Sequence, residues 1–376
     1  MRLFALFALF LLSFAQAAEM PKIGHVYVLV LENENFATTF GPGSVAPYLA
    51  KDLPAQGAML DHYYGIGHFS LDNYIAMISG QAPNPVTQDD CNDFTDFVQK
   101  GVTRDGQAIG EGCVYPASIK TVADQLEAKG LKWRGYMQDM GNDAGREAKR
   151  CGHPAIGAAD GTQVATPTDS YVTRHNPFVY FHSIIDRPAC AENVLPLDTL
   201  EADLALAGGS ANFTFITPSA CDDGHDSPCA DDRRPGGLVS ADAFLRRWVP
   251  LILASPDFKK DGLLIVTFDE ADVPDPAKAT DNFDACCNEQ PGPNVKAGQK
   301  VGDRPSQGAG ISGAGGGRTG AVLISPFIKP GTRSTVPYNH YSLLRSVEDM
   351  FGLSHLGYAG QKGLKTFGKD VFTAAQ

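Results

Sequence analysis

His25-Val26-Tyr27-Val28-Leu29-Val30-Leu31 (HVYVLVL) runs directly into Glu32-Asn33, and Gly262 to Phe268 (GLLIVTF) runs directly into Asp269-Glu270. Each is an unbroken apolar run, rich in β-branched residues and too short for an ordinary helix. That pattern reads as a strand buried on both faces, as in a parallel sheet. Further strands are expected at Ala58–Tyr64, Lys132–Met137, Asn212–Thr217 and Thr319–Ile324. Between them, Ser70–Ser79, Thr121–Lys129, Ala241–Ala254 and Tyr341–Phe351 have helical spacing, and Gly80 and Gly130 are suited to close the first two. Strands alternating with helices predict an α/β fold, a mostly parallel central sheet with helices on both faces. In such sheets ligands bind beyond the carboxyl ends of the strands.

Polar residues fall where that rule asks for them. Glu32-Asn33 and Asp269-Glu270 would project from strand ends at one edge of the sheet, and gathered carboxylate and amide oxygens can hold a divalent cation. Either pair alone could merely cap a strand. Two such pairs in one chain favour a site. Ser70, in GHFSLDNY, opens an expected helix. It can serve as a helix cap. A helix N-terminus also offers free N–H groups and positive potential to a phosphoryl group beside the hydroxyl. His225 in CDDGHD and His340 before the last helix can bind a metal or a phosphate oxygen. His175 in RHNPFVYF is expected at the mouth of the site, and His62, His68, His153, His182 and His355 are weaker candidates. The glycine-rich run 308–320 precedes a strand and lacks Gly-Lys-Ser/Thr, so it is not a phosphate-cradling P-loop.

Composition narrows the partners. The formal charge of −12 argues against nucleic acid or an anionic membrane surface. Residues 1–17 have a basic start, an apolar run and small residues at Ala15 and Ala17. These are the parts of a cleaved signal peptide, whose apolar run is too short to span a bilayer. A secreted or periplasmic protein without a stable membrane anchor is expected, with one domain over 18–376. Eight cysteines in an exported chain imply disulfides whose pairing stays open. The stretches 84–112 and 272–317 read as long, disulfide-stapled loops.

In order along the chain, HVYVLVLENENF, APYLAKDLPAQGAMLDHYYGIGHFSLDNYIAMISG, RHNPFVYF, ANFTFITPSACDDGHD, LLIVTFDEAD and NHYSLLRSVEDMFGL resemble the blocks of a known group. This group comprises the bacterial and fungal phosphoesterases, of acid phosphatase and phospholipase C type, in the alkaline phosphatase superfamily. The resemblance implies an alkaline-phosphatase-like sheet and a phosphate-ester hydrolase with Ser70 as nucleophile. It implies Glu32, Asn33, Ser70, Asp269 and Glu270 around a divalent metal ion (Ca, Mg, Zn or Fe). Asn33, His175, His225 and His340 would contact substrate, and His225 and His340 would assist catalysis. The family often carries proline on both sides of the serine; Phe69 and Asp72 stand there in this chain. The substrate would be a small phosphate ester, a phospholipid or phosphoinositide head group included. Monoester hydrolysis through a phosphoserine is expected first. A phospholipase C-type phosphodiesterase and an exported phosphate- or metal-binding protein are the alternatives. For a sulfatase the sequence lacks a Cys-x-Pro-x-Arg context.

Overall fold

The computed structural model describes residues 20–272, 283–295, 300–301, 304–305 and 315–373. The expected signal segment lies outside the described residues, as do 308–314 of the glycine-rich run. Eight strands form the central sheet: β1 (His25–Leu31), β2 (Ala58–Leu60), β3 (Trp133–Met137), β4 (Val194–Pro196), β5 (Phe213–Thr217), β6 (Gly262–Phe268), β7 (Ala321–Ile324) and β8 (Thr332–Ser334). Their spatial order is β8-β2-β7-β6-β1-β5-β3-β4. Both pairings of β7 are antiparallel and the other five are parallel, so the sheet is mostly parallel as the alternation of elements required.

The strand β1 lies at the centre, and Val26 to Leu31 are fully buried. Successive side chains leave opposite faces. Val26, Val28 and Val30 pack into one core with α1 (Ser70–Ser79), α2 (Val122–Ala128) and the C-terminal helix His340–Phe351. Tyr27, Leu29 and Leu31 pack into a second core under α3 (Gly237–Ala254), through Leu238, Leu245 and Val249. Helices on both faces explain why no residue of this strand after His25 is exposed. Local signals hold the helix ends. Thr121 and Asp124 form a capping box on α2, and Gly80 adopts φ 67° to close α1.

Three sequence readings change. The run Ala58–Tyr64 breaks after Leu60, and Tyr63–Tyr64 pairs instead with Tyr338–Asn339. The stretch 84–112 is not wholly irregular, because Val98–Val102 and Ala108–Glu111 form an antiparallel hairpin. Its exposed positions alternate too weakly to announce a strand. The disulfides are Cys91–Cys113, Cys151–Cys190, Cys221–Cys229 and Cys286–Cys287. Cys91–Cys113 staples the first loop region, whereas Cys286–Cys287 joins neighbours and ties the second loop to nothing else. Among the described residues no helix is long and apolar enough to cross a membrane.

Candidate active site

The parallel register of β1 and β6 pairs Leu31 with Phe268, so the next residues, Glu32 and Asp269, leave the sheet side by side. Asp269 N–H donates to Leu31 O at 2.9 Å, and Glu32 N–H donates to Asp223 O at 2.9 Å. The loop after β5 thereby brings Asp223 to the same edge. Asn33 turns through φ 45°, a left-handed conformation that asparagine tolerates better than most residues. Its N–H donates to Asp269 Oδ1 at 3.1 Å.

Ser70 reaches this edge from the opposite side. It is the first residue of α1, and its hydroxyl donates to Glu32 Oε2 at 2.8 Å. The helix cap is Phe69, so Ser70 does not cap the helix itself. Phe69 has φ 96° and ψ 128°, which a residue with a Cβ rarely adopts. Backbone strain of this kind persists where the surroundings over-determine it. Here Glu270 accepts the Phe69 N–H, at 3.0 Å and 3.2 Å to its two oxygens, and pairs with His68 Nδ1 at 2.7 Å. Tyr74 lies one helical turn beyond Ser70 and donates its hydroxyl to Glu32 Oε1. Both Glu32 oxygens are therefore engaged from α1.

The histidines separate into different roles. His175, expected at the mouth, is buried with 4% of its side chain exposed. Its Nε2 stands 3.3 Å from Glu32 Oε2 and its Nδ1 3.7 Å from Asp223 Oδ2. The ring stacks on Tyr74 at a centroid distance of 5.3 Å, and both nitrogens lack a hydrogen bond of good geometry. Its place is beneath the carboxylates because the apolar run that follows, Phe178–Phe181, packs into the core. His340, expected to hold the phosphoryl group, has both ring nitrogens engaged by protein. Nδ1 meets the Tyr63 hydroxyl at 3.0 Å and Nε2 meets Asp269 O at 2.5 Å. The fully buried ring lies between the Tyr63 hydroxyl and the Asp269 backbone. His225 lies at the rim, half exposed, 3.3 Å from Asp226.

Electrostatics set the site apart. Burial, then Asp269 and Asp223, pushes the Glu32 carboxyl well above the usual carboxylate range. Burial and then Glu270 raise Asp269 to about 8, and burial raises Asp223 to about 7. Burial lowers the His175 and His340 rings, the latter to about 4. The hydrogen bond to Asp226 raises His225 to about 9, so it carries a proton through neutral pH. Desolvated carboxylates sharing a site retain protons unless a positive charge replaces them.

Such a charge has donors waiting. Asn33 Oδ1 and Asp269 Oδ2 are buried oxygens without a hydrogen-bond partner. They stand with Glu32 and the Ser70 hydroxyl, an oxygen-rich set suited to a hard divalent cation. Among the described residues no trio of His, Cys, Asp and Glu side chains forms a metal cluster by itself. A bound ion would therefore need the Asn33 amide or the Ser70 hydroxyl as well. Glu270 is engaged by His68 and by the N–H of Phe69, the residue before the serine.

Glycine spacing holds the edge together. A Cβ on Gly65 would lie 2.7 Å from Asp269 O, and one on Gly316 would lie 2.5 Å from Gly67 O. The end of the glycine-rich run thus lets three backbone segments pack under the acidic pair, and Ala271 N–H donates to Gly316 O at 2.8 Å.

A model of the Phosphoesterase family matches residues 43–354. The chain belongs to that family. Among its relatives, the phosphate-repressible acid phosphatase of Penicillium chrysogenum is 28% identical over 236 residues, covering 63% of this chain and 46% of that protein. The phosphatidylinositol-3-phosphatase of Mycobacterium tuberculosis is 22% identical over 343 residues, covering 91% of this chain and 82% of that protein. The chain spans about half the length of the fungal acid phosphatases it matches, 40% to 59% of three of them. A solved structure of an alkaline phosphatase superfamily protein from Vibrio parahaemolyticus superposes with a TM-score of 0.52 at 13% identity, over 94% of this chain and 72% of that one. The likeness shows a shared fold.

Residues that the sequence reading passed over complete the arrangement. Asp223 stood in CDDGHD beside the histidine that drew attention. Tyr74 had a usable signal, its i+4 spacing from Ser70. His68 was a minor candidate and Arg174 none.

Proposed function

We propose that this phosphoesterase is an exported hydrolase of phosphate monoesters with Ser70 as its nucleophile. One observation carries the reading. The Ser70 hydroxyl, at the head of a helix and behind a strained Phe69, donates to a buried carboxylate beside two unpartnered oxygens. A serine held in that way is oriented by its acceptor and not merely buried.

In the proposed reaction Ser70 Oγ attacks phosphorus in line with the ester oxygen. Ser70 passes its proton to Glu32 Oε2, the Oγ–P bond forms as the P–O ester bond breaks, and the alkoxide leaves with a second proton. His225, protonated at neutral pH and exposed at the rim, supplies that proton or neutralises the leaving side. Water then cleaves the phosphoserine and releases inorganic phosphate. Glu32 accepts the Ser70 hydroxyl and fixes its direction, with Tyr74 and His175 holding Glu32 in turn. The positive end of α1, which begins at Ser70, favours developing negative charge beside the hydroxyl. Glu32, Asn33, Ser70 and Asp269 would hold a divalent cation, with Glu270 beside them. Bound there, such an ion would neutralise phosphoryl charge and lower the pKa of the serine hydroxyl.

Phosphoinositide head groups fall within this substrate class. The relative named a phosphatidylinositol-3-phosphatase, aligned over 91% of this chain, supports including them. The test is a panel of a chromogenic phosphomonoester, a phosphoinositide, a phosphodiester and phosphatidylcholine. It is run on metal-stripped full-length protein with single cations added back. Monoester turnover restored by a cation is the expected result. Turnover confined to diesters would replace the reading with a phospholipase C-type reaction. Retention of phosphate without any turnover would replace it with a binding protein.

A further inference from the structure

Arg174 ends up beside the site by two separate routes, and the proposed reaction assigns it no task. Through the chain it precedes His175, whose Nε2 lies 3.3 Å from Glu32 Oε2. Through space its Nε stands 3.9 Å from Asp90 Oδ2, while Asp90 Oδ1 accepts the N–H of Leu71, the residue after Ser70. Arg174 is thus linked through the chain to His175 beside Glu32, and its guanidinium through Asp90 to the N-terminus of the serine's helix.

Its geometry is held from behind. Nη1 donates to Gln163 O at 3.0 Å and to Gln163 Oε1 at 3.3 Å. The Gln163 amide donates to Asp90 O at 2.8 Å and to Asp160 Oδ2 at 3.1 Å, which ties cation and counter-ion to one brace. Nη2 makes no hydrogen bond among the described residues, and 17% of the side chain is exposed. Burial opposes the charge, yet Asp90, followed by Glu32, Asp223 and Asp226, more than offsets it. The result is a pre-oriented planar donor, fixed on one side and open on the other, at the edge of a group of carboxylates. A fork of this kind matches the oxygens of a phosphoryl group better than an ammonium does.

We infer that Arg174 is a substrate-binding residue whose free guanidinium edge holds a non-bridging oxygen of the phosphoryl group presented to Ser70. This rests on the reaction proposed above. It also means that the inorganic phosphate produced in the second step, when the Ser70 Oγ–P bond breaks, stays bound through Arg174 and inhibits as product.

Arg174→Lys keeps the countercharge to Asp90 and removes the fork, so it separates ligand binding from a merely structural ion pair. Two measurements on full-length protein decide the matter. These are the stabilisation of the fold by added inorganic phosphate and the kcat and KM for a chromogenic monoester. The thermal shift produced by phosphate should be lost in Arg174→Lys while the unliganded melting temperature is retained. The kcat/KM should drop on the order of 10- to 100-fold, as for loss of one charge-assisted hydrogen bond. A phosphate shift equal to wild type, with kcat/KM within about twofold, would overturn the inference. If Arg174→Lys does not fold, Arg174→Gln combined with Asp90→Asn removes both charges together and gives the same readouts. Phosphate binding that depends on Arg174 in a protein without ester turnover would uphold this inference and sink the proposed reaction instead.

Discussion

Glu270 accepts the backbone N–H of Phe69 at 3.0 Å, and this contact couples the end of β6 to the residue that aims Ser70. The same carboxylate pairs with His68. Residues 68 to 70 are therefore gripped from the acidic edge of the sheet, and Phe69 keeps its φ of 96° because its surroundings leave no relaxed alternative.

That conformation can be tested by replacing the side chain twice. Phe69→Gly and Phe69→Ala both lose the phenyl ring, but only alanine retains the Cβ that disfavours positive φ. The glycine variant should be the more stable of the two by about 1 kcal/mol or more in chemical denaturation. Equal stabilities would show that position 69 carries no strain.

Ser70→Ala removes the proposed nucleophile and leaves Glu32 bonded to Tyr74. The unfolding free energy should change by no more than about 1 kcal/mol. Turnover of a chromogenic monoester should fall on the order of 10⁴-fold or more, as when a covalent nucleophile is deleted. Near-wild-type turnover would rule out Ser70 as nucleophile.

Gly65→Ala asks whether the close approach under the acidic pair matters. The added methyl would meet Asp269 O at 2.7 Å, Gly316 O at 3.0 Å and Glu270 Cα at 3.1 Å. Backbone atoms cannot turn aside as a side chain can. A destabilisation of about 1–3 kcal/mol is expected, and turnover should fall further than stability alone explains. An unchanged kcat would show that the Asp269-Glu270 backbone can shift without consequence.

Glu348, away from the site, predicts a pH dependence of stability. It is fully buried; Oε1 accepts the Leu356 N–H at 2.8 Å and Oε2 has no partner. Burial raises its carboxyl to about 8 from 4.5. The folded state thus binds its proton more tightly than the unfolded chain, and stability declines as pH rises from about 4.5 to 8. Glu348→Gln should remove this part of the decline, making the variant more stable than wild type at pH 8 and close to it near pH 4.5. Parallel stability curves for the two proteins across that range would refute the assignment.

What could be read without coordinates was what each segment does alone. HVYVLVL and GLLIVTF have to be buried on both faces, and polar residues placed directly after them have to emerge at the strand ends. The strand-end positions of Glu32, Asn33 and Asp269 were legible for that reason. The antiparallel run of β7 was not, since direction depends on how the loop before it returns, and apolar spacing is the same both ways. The roles of the histidines were equally hidden. His340 and His175 have the same side chain as His225, but packing inside the chain engages both nitrogens of His340 and buries His175, leaving His225 at the rim.

The amino-acid sequence by itself determined the α/β class, the buried central strands and the acids at their ends, because these follow from local hydrophobic pattern and strand direction. Only the tertiary structure decided that Glu32 meets Ser70, that Glu270 holds Phe69 and that Arg174 meets Asp90. Those contacts join segments 38, 201 and 84 residues apart, the last through the Arg174–Asp90 pair. Such distant meetings are set by how the sheet and its covering helices pack, which no local pattern encodes.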